Sequence, residues 1–265
     1  MTAASIRFDL NCSIQLTDLP LANRPAAAKA AGFDAVEFWW PFSSATPGDA
    51  EVDAFVRSIN DAGVALVGLN FVDGLPEHRG FASVPDARQR FRDNVDIAVG
   101  IAEATGCRAL NALYGNRIPG VDPRTQDELA RENLVHAAAA ADRIGAVVLL
   151  EALNSYESPD YPIVSAKAAL DLIAELPAGN IRFLADLYHL ARMDEDLPAL
   201  IAAHASEFGH VQIADTPGRG APGTGELDFA ALLSGLVEHG YTGCIGAEYK
   251  GSASFAWLPE LKGSQ

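Results

Sequence analysis

The 265-residue chain is poor in cysteine, histidine and positive charge. Its three cysteines, Cys12, Cys107 and Cys244, lie far apart and form no CxxC pair. That excludes a disulfide framework and predicts reduced thiols in a cytoplasmic protein. Six histidines are scattered along the chain, which argues against a multi-zinc site. Only 19 Lys and Arg stand against 35 Asp and Glu, a net charge of −16. Such a surface repels a phosphate backbone, so no nucleic-acid partner is expected. A small anionic substrate would need a local cluster of cations. No apolar run reaches about 18 residues, and the opening MTAASIRFDLNCS has no apolar signal core. Neither membrane span nor signal peptide is expected. Walker P-loop and GxSxG motifs are absent too, so nothing supports a P-loop enzyme or a serine hydrolase.

What is present is ordinary globular composition, 49% hydrophobic and 20% charged, which rules out wholesale disorder. Short apolar runs alternate with helical patterns from end to end. Strands are predicted over Ile6–Asn11, Ala35–Trp39, Val64–Asn70, Ala109–Leu113, Ala146–Ala152, Ile181–Asp186, His210–Ala214 and Cys244–Glu248. Helices are predicted over Asn23–Ala31, Asp49–Ala62, Asp86–Thr105, Gln126–Ile144, Ser165–Leu176, Asp228–Glu238 and Phe255–Leu261, with helical segments following Asp186 to about Ala205. Apolar positions at Phe91, Val95, Ala98, Val99 and Ala102 show the helical period. Gly32, Gly63, Gly106, Gly145 and Gly240 serve as stop signals. No linker divides the chain. Eight strand–helix units in this length predict one (β/α)8 TIM barrel domain over residues 1–265. An open doubly wound sheet is the alternative.

In a barrel, function sits at the C-terminal ends of the strands. The fifth run, AVVLLEA, carries Glu151 near its end, and the sixth, IRFLAD, ends on Asp186. The seventh, HVQIAD, holds Gln212 with Asp215 at its exit, and the eighth, CIGAE, ends on Glu248. Earlier strands place Asn11, Glu37, Asn70 and Asn111 comparably. Taken singly, the three asparagines read as turn caps. A Glu ending an apolar buried strand is costly unless paired or bound to a cation. Two of them, with Asp186 between, would raise one another's pKa. A divalent metal resolves that conflict. Three carboxylates and one amide oxygen suit Mg²⁺ or Mn²⁺ better than Zn²⁺.

Gly218-Arg219-Gly220-Ala221-Pro222-Gly223 fits GxGxxG, but a dinucleotide fingerprint opens a helix at once in an early βαβ unit. Here Pro222 and Gly225 postpone the helix to about Asp228. The stretch reads as a substrate-covering loop.

Several motifs carry a family resemblance: VEFWWPF at 36–42, HRGFASVP at 78–85, DLYHLARM at 186–193, HVQIADTPGRGAPGTGE at 210–226 and GAEYK at 246–250. Together with the strand-end series they resemble the hydroxypyruvate isomerase family of xylose isomerase-like barrels. The resemblance implies Glu151, Asp186, Gln212 and Glu248 as metal ligands, with Glu151 and Glu248 as the acid/base pair. It implies interconversion of hydroxypyruvate and tartronate semialdehyde through an enediolate. The order in which the two glutamates act stays open, as does a metal-assisted hydride shift.

Related 2-oxo-tetronate isomerases share essentially the same motifs. Ketose 3-epimerases typically have His at the position of Gln212, which favours the isomerase branch. An apurinic endonuclease and a non-catalytic sugar-acid binder are the remaining readings on this scaffold. Where many relatives carry MPAGDRG, residues 75–80 read LPEHRG. A small 2-oxo-3-hydroxy acid would need cations for its carboxylate. Arg219, flanked by glycines, is the first candidate, with Lys250 and Arg79 beside it. His189 could bind substrate or orient a ligand. Glu37 could support the ligands from the lumen. Trp39, Trp40 and Phe42 could wall the pocket or belong to the core.

Overall fold

The computed structural model describes residues 6–74, 78–251 and 254–263. Eight parallel strands run β1 (Arg7–Asn11), β2 (Ala35–Phe38), β3 (Ala65–Asn70), β4 (Ala109–Asn111), β5 (Val147–Glu151), β6 (Ile181–Asp186), β7 (Phe208–Ile213) and β8 (Cys244–Ala247). They pair in chain order, and β8 returns to pair with β1, closing the barrel. Closure excludes the doubly wound alternative. Outside lie α1 (Arg24–Ala30), α2 (Asp49–Ala62), α3 (Arg88–Thr105), α4 (Pro123–Asp142), α5 (Ala166–Glu175), α6 (Leu187–Arg192), α7 (Leu197–His204), α8 (Phe229–Glu238) and α9 (Trp257–Gly263). No helix among the described residues is long and apolar enough to cross a membrane.

Local chemistry explains the boundaries. α4 starts earlier than its apolar pattern because Asp122 caps it, accepting from the Arg124 N–H over 2.9 Å, with Pro123 in the first turn. α3 starts later than expected because Pro85–Ala87 form a 3-10 turn ahead of it. α2 and α3 end at Gly63 and Gly106, both left-handed. β4 keeps only three residues of its longer apolar run.

Successive strand side chains alternate between the helices and the lumen. Phe8 and Leu10 lie in the core between barrel and helices, and Phe8 meets Trp257 of α9 edge to face. Ala109, Leu149 and Leu184 form a separate apolar cluster. Buried polar residues include Asp9 and Asn11 of β1, Glu37 of β2, Asn70 of β3, Asn111 of β4, Glu151 of β5, Asp186 of β6, and His210 and Gln212 of β7. Asp9, Glu37 and His210 support the site from below.

Candidate active site

β6 and β7 place Asp186 opposite Gln212, and β5 ends on Glu151. Glu248 follows β8 directly, its N–H donating to the Ile213 carbonyl. Each of the four is at most 5% exposed. Asp186 does two things at once. Its Oδ1 caps α6, accepting from the Tyr188 and His189 N–H groups at 2.8 and 3.3 Å. Its Oδ2 is buried without a hydrogen-bond partner, as is Gln212 Oε1. Asn111 donates to Glu151 Oε2 over 2.9 Å, so this asparagine holds a carboxyl rather than serving as a plain turn cap.

Arg219 gathers the carboxylates. Its Nη2 lies 2.7 Å from Glu248 Oε1 and 3.9 Å from Asp186 Oδ2, and its Nη1 lies 3.9 Å from Glu157 Oε2. Trp39 Nε1 donates to the same Glu248 oxygen over 3.2 Å. One guanidinium among the buried carboxyls of Glu151, Asp186 and Glu248 leaves them short of positive charge. Burial, then Asp186, pushes Glu151 up to about 8. Burial raises Asp186 to about 6 against the opposing charge of Arg219. Burial likewise drives Glu248 well above the carboxylate range, with Arg219 opposing and Asp186 and Glu151 adding. Two unpartnered oxygens beside carboxyls that resist ionisation fit a hard divalent cation.

Ligand-capable atoms of Glu151, Asp186 and His189 also lie within 4.8 Å of one another. His189 nevertheless has the tautomer of a donor. Its Nδ1 accepts the Asn154 N–H over 3.0 Å, which places the ring proton on Nε2, 3.6 Å from Asp186 Oδ2. Burial, reinforced by the charges of Arg219, Arg79 and Lys250, holds the imidazole well below its usual pKa and so neutral.

The loop after β7 folds back on itself around Asp215. One oxygen of its carboxylate accepts from the Thr216 and Leu227 N–H groups, the other from Gly223 and Gly225, all between 2.8 and 3.1 Å. Arg219 adopts φ +56°, and its carbonyl accepts from the Lys250 N–H. The helix does not begin until Phe229, so the GxGxxG match forms no dinucleotide turn.

Glu157, in the loop after β5, is a site residue that pattern reading does not reach. It accepts from Lys250 Nζ over 2.8 Å and from Asn154 Nδ2 over 3.2 Å. Arg79 reaches the Glu157 carbonyl at 3.4 Å. Lys250 and Arg79 thus meet at Glu157, on the rim. Leu75, Pro76 and Glu77 of the LPEHRG stretch lie outside the described residues. Trp39 lines a cavity of about 670 Å³ with Trp40, Phe42, Phe81, Arg24 and Arg90. It therefore joins that cavity to Glu248.

Deeper in the lumen, Asp9, Glu37 and His210 form a second group of potential ligands. Glu37 is held by three nitrogen donors, while both oxygens of Asp9 are buried without a hydrogen-bond partner. Glu37 accepts from Asn11 Nδ2 (3.0 Å), His210 Nε2 (2.7 Å) and Gln212 Nε2 (2.7 Å).

The model of the xylose isomerase-like TIM barrel family matches residues 25–263. A "Putative hydroxypyruvate isomerase" of Streptomyces coelicolor is 56% identical, with 98% of each chain aligned. The hydroxypyruvate isomerase of Escherichia coli is 31% identical over 92% of this chain and 93% of its own. Among solved structures, an AP endonuclease, family 2, from Brucella melitensis superposes with a TM-score of 0.87 at 36% identity. That alignment covers 96% of this chain and 98% of the other.

Proposed function

The chain belongs to the hydroxypyruvate isomerase family of xylose isomerase-like TIM barrels and is an isomerase; from that premise we propose that it interconverts hydroxypyruvate and tartronate semialdehyde. The observation that carries this reading is the buried set Glu151, Asp186, Gln212 and Glu248, with two unpartnered oxygens and too little positive charge. These four would hold Mg²⁺ or Mn²⁺. When bound, the cation would polarise the substrate ketone and offset charge developing on its oxygen.

The isomerisation moves one proton from C3 to C2 and one from the C3 hydroxyl to the C2 oxygen. Glu151 and Glu248 are the acid/base pair: one removes the C3 proton, giving an enediolate, and the other delivers a proton to C2. Asn111 fixes the plane of the Glu151 carboxyl, while Trp39 and Arg219 fix that of Glu248. The planar fork of Arg219 would bind the substrate carboxylate, aided from the rim by Lys250 and Arg79. His189, neutral and protonated at Nε2, would donate to a substrate oxygen. The enzyme would act as a cytoplasmic single-barrel domain, consistent with three buried, unpaired cysteines.

The test is hydroxypyruvate turnover coupled to a reductase that consumes tartronate semialdehyde, with Mg²⁺, with Mn²⁺ and after chelation. Metal-dependent turnover that Glu248→Gln abolishes is the expected result. No turnover by the metal-loaded parent chain overturns this substrate. A higher kcat/KM on a four-carbon 2-oxo-tetronate would select 2-oxo-tetronate isomerisation instead.

A further inference from the structure

Gln212 is the odd member of the ligand set, because an amide has two ends of nearly equal shape. Its oxygen can face a cation, whereas its NH₂ repels one. Something must therefore fix the orientation. A carboxylate only accepts hydrogen bonds. Glu37 Oε1 lies 2.7 Å from Gln212 Nε2 and also accepts from Asn11 Nδ2 at 3.0 Å. Its Oε2 accepts from His210 Nε2 at 2.7 Å. With three donors in place the carboxylate is 3% exposed and cannot swing away. Space for it is kept by two glycines. A Cβ at Gly246 would lie 2.8 Å from Glu37 Oε1, and one at Gly68 would lie 3.2 Å from Oε2. The other end of the amide, Oε1, is the buried atom without a partner.

We propose that Glu37 is the positioning residue for the metal site: it holds the NH₂ of Gln212 so that the amide oxygen is the end offered to a divalent cation. This rests on the metal-ligand reading given above, and it assigns Glu37 no contact with cation or substrate. The same carboxylate ties the Asp9, Glu37 and His210 group to the site above through three nitrogen donors.

The experiment is calorimetric titration with Mn²⁺ alone, without substrate. Gln212→Leu sets the loss for removing the ligand. Glu37→Met removes the acceptor and should weaken Mn²⁺ binding by about tenfold to a hundredfold, the usual cost of losing an outer partner. Glu37→Gln keeps an acceptor oxygen for Gln212 and turns its own NH₂ toward an unprotonated His210 Nε2. It should bind Mn²⁺ like the parent chain. Glu37→Met combined with Gln212→Leu should bind no more weakly than Gln212→Leu alone, because both act through one amide. A residue that only stabilised the barrel would produce neither the rescue nor the non-additivity.

Parent-like binding by Glu37→Met, or fully additive losses, would overturn the proposal. If Glu37→Met does not fold, as judged by thermal unfolding, Glu37→Gln decides. Binding like the parent upholds the proposal, and a loss as large as that of Gln212→Leu overturns it. Because no substrate is present, failure to turn over hydroxypyruvate leaves this test intact. Absence of Mn²⁺ binding by the parent chain sinks the metal reading and this inference together.

Discussion

Arg219 Nη2 and Glu248 Oε1 lie 2.7 Å apart, and the same guanidinium reaches toward Asp186 and Glu157. A fork with several donors can serve these carboxyls together; a single ammonium cannot. Arg219 also stacks over Tyr188, 5.4 Å from its ring centroid, which fixes the fork's plane. Arg219→Lys should therefore behave as a loss, not as a conservative change. We expect kcat/KM for hydroxypyruvate to fall by about a hundredfold or more, in line with losing a donor aimed at developing charge. Steady-state kinetics at saturating Mg²⁺ decides, and a fall under about threefold would remove Arg219 from the reaction.

Asp215 organises the loop that carries Arg219. Its carboxylate accepts four backbone N–H groups, and it is 1% exposed. In Asp215→Asn one oxygen becomes a donor facing two donors. The expected cost is about 1.5–3 kcal/mol, the range for hydrogen bonds to a charged group. KM should rise, and protease should cut within residues 216–227 in the variant before it cuts the parent. Gly225→Ala should act in the same direction, since a Cβ there runs into Thr216 and Asp215.

The eight-unit rhythm was legible because each strand is short and apolar and most helices end on a glycine or a cap. The strand-end donors were legible because Glu is out of place at the end of an apolar strand. Three features were not. Glu157 sits in an aperiodic polar loop, and its partner Lys250 lies 93 residues away. His210 looked like the first residue of a strand, yet it pairs with Glu37 across 173 residues. Trp39 meets Glu248 only because the barrel closes. Long-range pairing leaves no local trace. The period of two did hold a usable signal. It places His210 with Gln212, and Asp9 with Asn11, on common faces, which marks a polar lumen.

A cation held by the buried carboxyls would make stability depend on it. Without a cation, Glu151, Asp186 and Glu248 share one guanidinium. A cation that binds only the folded chain stabilises it by RT ln(1 + [L]/Kd), about 2.7 kcal/mol at a hundredfold excess over Kd. Thermal unfolding should shift upward with Mn²⁺ and return after chelation. Asp186→Asn, which exchanges one carboxylate oxygen for an amide NH₂, should lose most of the shift. A shift of parental size in that variant would exclude Asp186 as a ligand.

The thiols supply a pH test. Burial pushes Cys107 and Cys244 up to about 11, and raises Cys12 further. Reactivity follows the thiolate. Raised values keep all three groups protonated, and so inert, through neutral pH, and ionisation begins only as pH approaches 11. A disulfide reagent at pH 8 should find no reactive thiol in the folded chain and three after denaturation. Rapid modification of the folded chain at pH 8 would show that one of the three is accessible.

Gly246 tests the lumen by volume rather than by charge. Its missing side chain leaves the space that Glu37 fills, and an added Cβ would lie within 3.0 Å of the carboxyl carbon and both oxygens. The carboxyl is held by Asn11, His210 and Gln212, so it cannot yield without breaking one of those bonds. Overpacking of this kind costs about 1–3 kcal/mol. Gly246→Ala should lower thermal stability and weaken Mn²⁺ binding together. Gly235→Ala is the matched comparison. Gly235 lies within α8, and its Cβ would meet only the Ile201 side chain at an ordinary 3.5 Å. There the substitution relieves the backbone cost of glycine in a helix and should stabilise by about 0.5–1 kcal/mol, with Mn²⁺ affinity unchanged. Opposite signs in the two unfolding curves would locate the strain at Glu37. A tolerated Gly246→Ala with intact Mn²⁺ binding would show that the carboxylate has room to move.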